Sequence, residues 1–172
     1  MRIDRLTSTQ LRACQSELAT LLKDAVDGGA SVGFLAPLAM ETAESYWAKL
    51  ESELDSGDRI ILAAWDGDIL IGTVQLALAW QPNGQHRAEV QKMLVHSQHR
   101  GKGYAKALLA EIEKIALAHG RSLLVLDTER GCDAEYLYEK VGYIRAGGIP
   151  RYATDPAGNL QENVIFYRWL KP

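Results

Sequence analysis

One segment constrains the fold more than any other. Ala88 to Val95 (AEVQKMLV) reads as a strand, and Gln98 to Gly103 (QHRGKG) as a glycine-bearing turn. Ala105, Leu108, Leu109, Ile112, Ile115 and Ala116 then recur at helical spacing, and Ser122 to Asp127 (SLLVLD) is an apolar strand suited to burial on both faces. If the two strands are neighbours, a strand–helix–strand unit makes them parallel through a right-handed crossover. Ligands in open α/β sheets sit beyond the carboxyl ends of the strands, which places a site near Val95 and Asp127.

The remaining pattern is largely antiparallel. Arg2 to Leu6 is a short strand. Thr7 and Gln10 form a capping box for a helix with Leu11, Cys14, Leu18, Leu21, Leu22 and Ala25 on one face, ended by Gly28-Gly29. A second helix carries Ala43, Tyr46, Trp47, Leu50 and Leu54 and stops at Ser56-Gly57. Arg59 to Trp65 and Ile69 to Ala79 are strands joined at Asp66-Gly67, and Pro82-Asn83-Gly84 turns the chain into the strand that opens the crossover. A short helix spans Ala134 to Val141. A strand then starts at Tyr143, a polar loop covers Thr154 to Gln161 (TDPAGNLQ), and Asn163 to Leu170 closes the chain as a strand. The expected fold class is α/β: one domain over residues 1–172, with a mostly antiparallel sheet, one parallel crossover and helices on both faces.

Charge and composition exclude some functions. A net charge of −3 and a pI near 5.8 argue against a nucleic-acid partner. The first ten residues (MRIDRLTSTQ) lack the apolar core of a signal peptide, and no apolar run approaches membrane-spanning length. Cys14 and Cys132 form no CxxC, and His86, His96, His99 and His119 show no ligand spacing. The expectation is a cytoplasmic protein with no metal, no membrane partner and no nucleic acid.

The turn Gln98-His99-Arg100-Gly101-Lys102-Gly103 has the makings of an anion site. The first amides of a helix lack internal partners, and the helix dipole adds positive potential there. Gly101 and Gly103 allow close backbone approach, and Arg100 and Lys102 add charge. The residue three after Gly103 is Lys106, so this is not a dinucleotide GxGxxG, and no Walker Lys-Ser/Thr occurs.

Gln98-x-x-Gly101-x-Gly103-Tyr104-Ala105 resembles the pyrophosphate loop of GNAT superfamily N-acetyltransferases. Ala134-Glu135-Tyr136-Leu137-Tyr138-Glu139-Lys140-Val141-Gly142-Tyr143 resembles the same family's A-x-x-L-Y-x-K-x-G-F/Y segment, in the family's order. Within the family, Gly28 to Phe34 (GGASVGF), Pro82 to Val95 and Leu123 to Gly131 (LLVLDTERG) look like the tabtoxin-resistance acetyltransferases, which acetylate a β-lactam amino acid. Gly131 stands where the family often has an asparagine that contacts the cofactor arm, so no side-chain contact is expected there.

The resemblance implies an acyltransferase that uses acetyl-CoA as donor. The donor would lie against Met93, Leu94 and Val95 through their backbone, and against Gln98, His99, Arg100, Gly101, Lys102, Gly103, Tyr104 and Ala105. The backbone amides of that strand would also polarise the thioester carbonyl. It also implies a small-molecule amine as acceptor, a toxin or antibiotic included, and a monomer or homodimer. A protein or peptide acetyltransferase and a non-catalytic acyl-CoA-binding module are the alternatives.

The chemistry needs a base. An amine of pKa near 10 is only about one part in a thousand free base at pH 7, a cost of roughly 4 kcal/mol. Glu89 matches the position of the glutamate base in GNAT enzymes that use one; an exposed strand glutamate paired with Arg87 or Lys92 is the plain structural alternative. Asp127 ends its strand at the ligand edge, where it is equally readable as a turn carboxylate. Glu129 is a third candidate. Tyr138, four residues before Gly142 as in the family, would hydrogen-bond the departing thiolate; its alternative is helix packing, and Tyr136 points elsewhere. Gly28 to Phe34 and Tyr152 to Gln161 are expected to wall the acceptor pocket. Trp47 and Trp80 could line it, though large aromatics more often fill cores.

Overall fold

The computed structural model describes residues 1–171; Pro172, the last residue of the expected domain, lies outside them. Seven strands form one sheet in the order β1-β2-β3-β4-β5-β7-β6. They are β1 Arg2–Arg5, β2 Arg59–Asp66, β3 Ile69–Leu78, β4 Arg87–Val95, β5 Leu123–Glu129, β6 Ile144–Thr154 and β7 Leu160–Trp169. All neighbours are antiparallel except β4 and β5, which the helix α5, Tyr104–Ala118, connects as the sequence predicts.

The amino-terminal helices differ from the two expected. The first divides at Cys14 into α1, Ser8–Ala13, and α2, Gln15–Asp27. Cys14 leaves helical geometry (φ −114°, ψ 23°) and is itself buried, in the same core as Leu11 and Leu18. The second divides at Leu50 into α3, Met40–Lys49, and α4, Glu51–Ser56. The Thr7–Gln10 capping box is present, with Thr7 Oγ1 accepting from the Gln10 amide at 3.2 Å and the Thr7 amide donating to Gln10 Oε1 at 2.9 Å.

The sheet separates two cores. On one face Leu108, Leu109, Ile112 and Ala116 of α5 pack on Ile60, Leu62, Val74, Leu76, Leu124 and Phe166, joined by Tyr138 of α6 (Asp133–Lys140). On the other, α1–α4 cover Ile61, Ala63, Leu70 and Leu94. Fully burying a Leu or Ile side chain contributes roughly 1.5–3 kcal/mol, so neither layer is dispensable. Trp47 is wholly buried in the second core, whereas Trp80 is 76% exposed and lines neither core nor cleft.

The last hairpin is longer than its sequence suggests. β6 runs to Thr154, and β7 resumes at Leu160 opposite it. Asp155 makes this possible: its carboxylate accepts from the amides of Ala157 and Asn159, both at 2.9 Å, and closes the polar stretch into a tight turn. Among the described residues no helix is long and apolar enough to cross a membrane.

Candidate active site

The cleft begins where two strands part. β4 and β5 pair only at Arg87–Leu123, Ala88–Leu124 and Glu89–Val125. β5 continues along β7 to Glu129, so β4 from Val90 to Val95 loses its neighbour and presents an open strand edge. A bulge sharpens the parting. Gln75 pairs with Gln91 and Thr73 with Leu94, which leaves the segment around Lys92 without its own place in the ladder. Lys92 takes φ +46°, in the left-handed region. The bulge also resets the alternation: Ala88 and Val90 face the α5 core, yet Leu94 packs in the opposite one. Gly72 sits behind it, where a Cβ would stand 2.9 Å from the Leu94 carbonyl oxygen.

The resulting cavity has a volume of about 780 Å³. Its floor is Glu89 to Val95, and Asp127, Thr128 and Glu129 of β5 face them. Gly28 to Val32 close one side, and the start of α5 and the α6 residues Leu137 and Tyr138 close the others. The expected wall from Tyr152 to Gln161 is not part of the lining. Instead the hairpin tip braces the loop that is: Ser31 Oγ donates to the Thr154 carbonyl at 3.0 Å, and the Ala36 amide to that of Pro156 at 2.9 Å.

One end of the cleft is built from backbone. Gly101 (φ +76°) and Gly103 (φ +83°) occupy left-handed conformations that bring the turn onto α5. Among the described residues the amides from Gly101 to Lys106 have no protein acceptor; the first bond of the helix is from the Ala107 amide to the Gly103 carbonyl, at 3.1 Å. The turn is held from behind. Asp24 of α2 accepts from the Ser97 amide at 2.8 Å and from its hydroxyl at 2.7 Å, and Arg100 Nε donates to the Val95 carbonyl at 3.2 Å. His99, Arg100, Gly101, Gly103, Tyr104 and Ala105 line the cavity together with Met93, Leu94 and Val95. Gln98 and Lys102 do not: both are exposed, and the Gln98 backbone N–H donates to His96 Nδ1 at 3.3 Å.

The other end is built from side chains. Glu89 faces Val125 across the parallel pair, and Asp127 lies two residues further along β5, so both carboxylates project from one face of the sheet. Glu89 pairs with neither Arg87 nor Lys92. Its Oε1 accepts from Gln91 Nε2 at 2.8 Å. Gln91 in turn accepts from Arg59 at 2.8 Å, and Arg59 also reaches Gln75 and Glu53. Asp127 Oδ2 accepts from Nδ2 of the buried Asn163 on β7 at 2.7 Å, which aims an otherwise exposed carboxylate. Burial, and then the charge of Asp155, raise the Glu129 carboxyl above its usual range.

Tyr138 enters from the opposite core, packed against Tyr143 and Phe166 with ring centroids 5.7 and 6.1 Å away. Burial, followed by the nearby Cys132 and Asp127, pushes its phenol far above the usual tyrosine range, so it keeps a proton to donate. Tyr136 is 65% exposed and faces away. Among the described residues no three His, Cys, Asp or Glu side chains gather as metal ligands.

Sequence reasoning missed Asp24, Gln91, Asn163 and Lys92. A lysine inside an otherwise part-buried strand was the one local signal for the last of these. Gln91 shares a strand face with Glu89 two residues away, whereas Asp24 and Asn163 act from distant elements and leave no local trace.

The chain matches the model of the Acetyltransferase (GNAT) family over residues 22–143. An uncharacterized N-acetyltransferase of the hisH-hisA intergenic region of Azospirillum brasilense is 30% identical over 128 residues, 73% of this chain and 72% of that protein. Rat N-acetyltransferase 8B is 34% identical over 86 residues, 49% of this chain. The matches span only 38% and 39% of two such rodent relatives. A Salmonella typhimurium protein solved with its cofactor acetyl-CoA superposes with a TM-score of 0.80 at 17% identity, covering 99% of this chain and 94% of the other, a likeness of fold.

Proposed function

Because this chain belongs to the Acetyltransferase (GNAT) family, we propose that it transfers an acetyl group from acetyl-CoA to a primary amine of a small molecule, by direct attack in a ternary complex. The supporting observation is the convergence in one cleft of an open strand edge, unpartnered helix amides and two carboxylates on one sheet face.

The residues present fit the donor. The amides of Gly101 to Lys106, with Arg100 beside them, suit a pyrophosphate. The open edge of β4 at Met93 to Val95 suits an amide-bearing arm added like a strand. Acetyl-CoA, when bound, supplies a thioester, an acyl group already activated toward amines.

The chain's own groups supply the rest. Glu89 or Asp127, directly or through a water, takes the ammonium proton and frees the lone pair. The β4 amides stabilise negative charge on the carbonyl oxygen. Tyr138 holds its proton for the leaving sulfur, a modest aid because a thiol of pKa about 8.5 departs readily.

The acceptors named by sequence resemblance are toxin or antibiotic amines, tabtoxin-type β-lactam amino acids foremost. A cytoplasmic setting and a single catalytic unit over residues 1–172 belong to the same proposal. The test is acetyl-CoA-dependent thiol release across a panel of small amines that includes such β-lactams, with peptides in parallel. Turnover on a small amine supports the proposal. Turnover on peptides alone, or calorimetric binding of CoA without turnover on any amine, overturns it.

A further inference from the structure

Lys92 is a half-buried cation that the reaction outlined above does not use. It occupies the bulge of β4 at φ +46°, an unusual conformation for a residue with a Cβ. Its ammonium projects onto the face that carries Glu89 and Asp127. Nζ lies 5.4 Å from the ring centre of Tyr46 and 6.0 Å from that of Phe34. It sits 3.8 Å from where a Cβ on Gly33 would stand, beneath the loop that closes the cleft. The residue lines the same cavity as both carboxylates.

What Lys92 lacks is a partner. Among the described residues its ammonium makes no hydrogen bond and no ion pair within 4 Å. The neighbouring cation Arg59 is tied through Nε to Glu53 and through Nη1 to Gln75 and Gln91. The carboxylates, for their part, receive amide donors from Gln91 and Asn163 rather than a cation. Burial, and then Arg59, hold the lysine below its ordinary range, while Asp127 and Glu89 act in the opposite sense without closing on it. Aromatic faces stabilise an ammonium but leave its three N–H donors unfilled. The ammonium lines the cleft, so a ligand there can supply the acceptor that the protein does not. The cleft therefore carries separated positive and negative poles.

We propose that Lys92 binds the carboxylate of the acceptor, so that the acceptor is an amino acid or amino-acid-like zwitterion whose amine faces Glu89 and Asp127. The inference rests on the acetyl-transfer reading and narrows its substrate class. Lys92 acts here as a specificity residue, and the proton chemistry stays with the carboxylates.

The test compares acceptors that share one carbon skeleton: free amino acids with α-, β- or γ-amino groups, their carboxamides, and the amines lacking the carboxyl group. Thiol release from acetyl-CoA is measured for the wild type, Lys92→Met and Lys92→Arg. The wild type is expected to favour at least one free acid over its amide by about tenfold or more in kcat/KM. In Lys92→Met that ratio collapses toward one, chiefly through KM, and Lys92→Arg keeps most of it. A lysine that merely shores up the loop would lower acid and amide together. That result, or a wild type without preference for acids, overturns the inference while leaving acetyl transfer standing. Wild-type protein that releases thiol with no amine of any kind overturns the transfer reading itself, and this inference with it.

Discussion

The two ends of the cleft are built from different materials. The α5 end, where the proposed donor would lie, presents peptide groups: free amides from Gly101 to Lys106 and the open edge of β4. The loop end presents side chains: Glu89 is held by Gln91 on its own strand, and Asp127 and Lys92 by contacts from β7 and α3. A peptide group is present whatever the residue, so the first end tolerates substitution as long as the backbone path survives. The second is lost one atom at a time. The contrast suits a shared donor at one end and a chosen acceptor at the other.

Removing both carboxylates should separate the two ends most. Glu89→Gln combined with Asp127→Asn is expected to lower kcat by about 10²–10⁴, the usual contribution of a positioned base. CoA affinity, measured by calorimetry, should move less than about threefold, because neither residue belongs to the peptide-built end. Equal losses in kcat and in CoA binding would break the comparison.

The reverse experiment strains the turn. Gly103→Val puts a β-branched residue at φ +83°, at a cost of about 1–2 kcal/mol in the required conformation. CoA should bind roughly tenfold more weakly, with kcat largely kept at saturating donor. A collapse in kcat with unchanged CoA affinity would show that the turn serves the acceptor. Tyr138→Phe falls between these extremes. It deletes one hydrogen bond to a good leaving group, so kcat is expected to drop about three- to tenfold, and less with a more activated thioester. A loss above a hundredfold would make the phenol central to the chemistry.

The same contrast explains what could be read in the sequence. The crossover and the turn at its centre are local: strand, Gly101, Gly103 and helix follow one another, and their physics needs no distant partner. The capping box of Thr7 is legible for the same reason. The acceptor end is not local. Glu89 and Asp127 stood out as carboxylates near strand ends; Gln91 lies on Glu89's own strand face, but Asn163, which aims Asp127, comes into view only with the sheet register. The bulge at Lys92 depends on β3 pairing with one residue fewer. The break at Cys14 was not legible because the apolar spacing of Leu11, Cys14 and Leu18 runs through it as in one helix. Asp155 turned a stretch that reads as a long polar loop into a tight hairpin, because one carboxylate collects two amides.

The smallest expected effect gives the sharpest test of a peptide-built donor end. Lys102 is the cation that a motif-based reading would make essential, yet its side chain is exposed and lies outside the cavity lining. An exposed charge near an anion contributes about 0–1 kcal/mol and is screened over about 8–10 Å at moderate salt. Lys102→Ala should therefore weaken CoA binding by less than about fivefold, and the gap between variant and wild type should close as salt rises. The six free amides cannot be removed by such a change, and they keep their orientation as long as Gly101 and Gly103 hold theirs. A salt-insensitive loss of tenfold or more would mean that the Lys102 side chain folds over the bound diphosphate, and that the donor end depends on side chains as the acceptor end does.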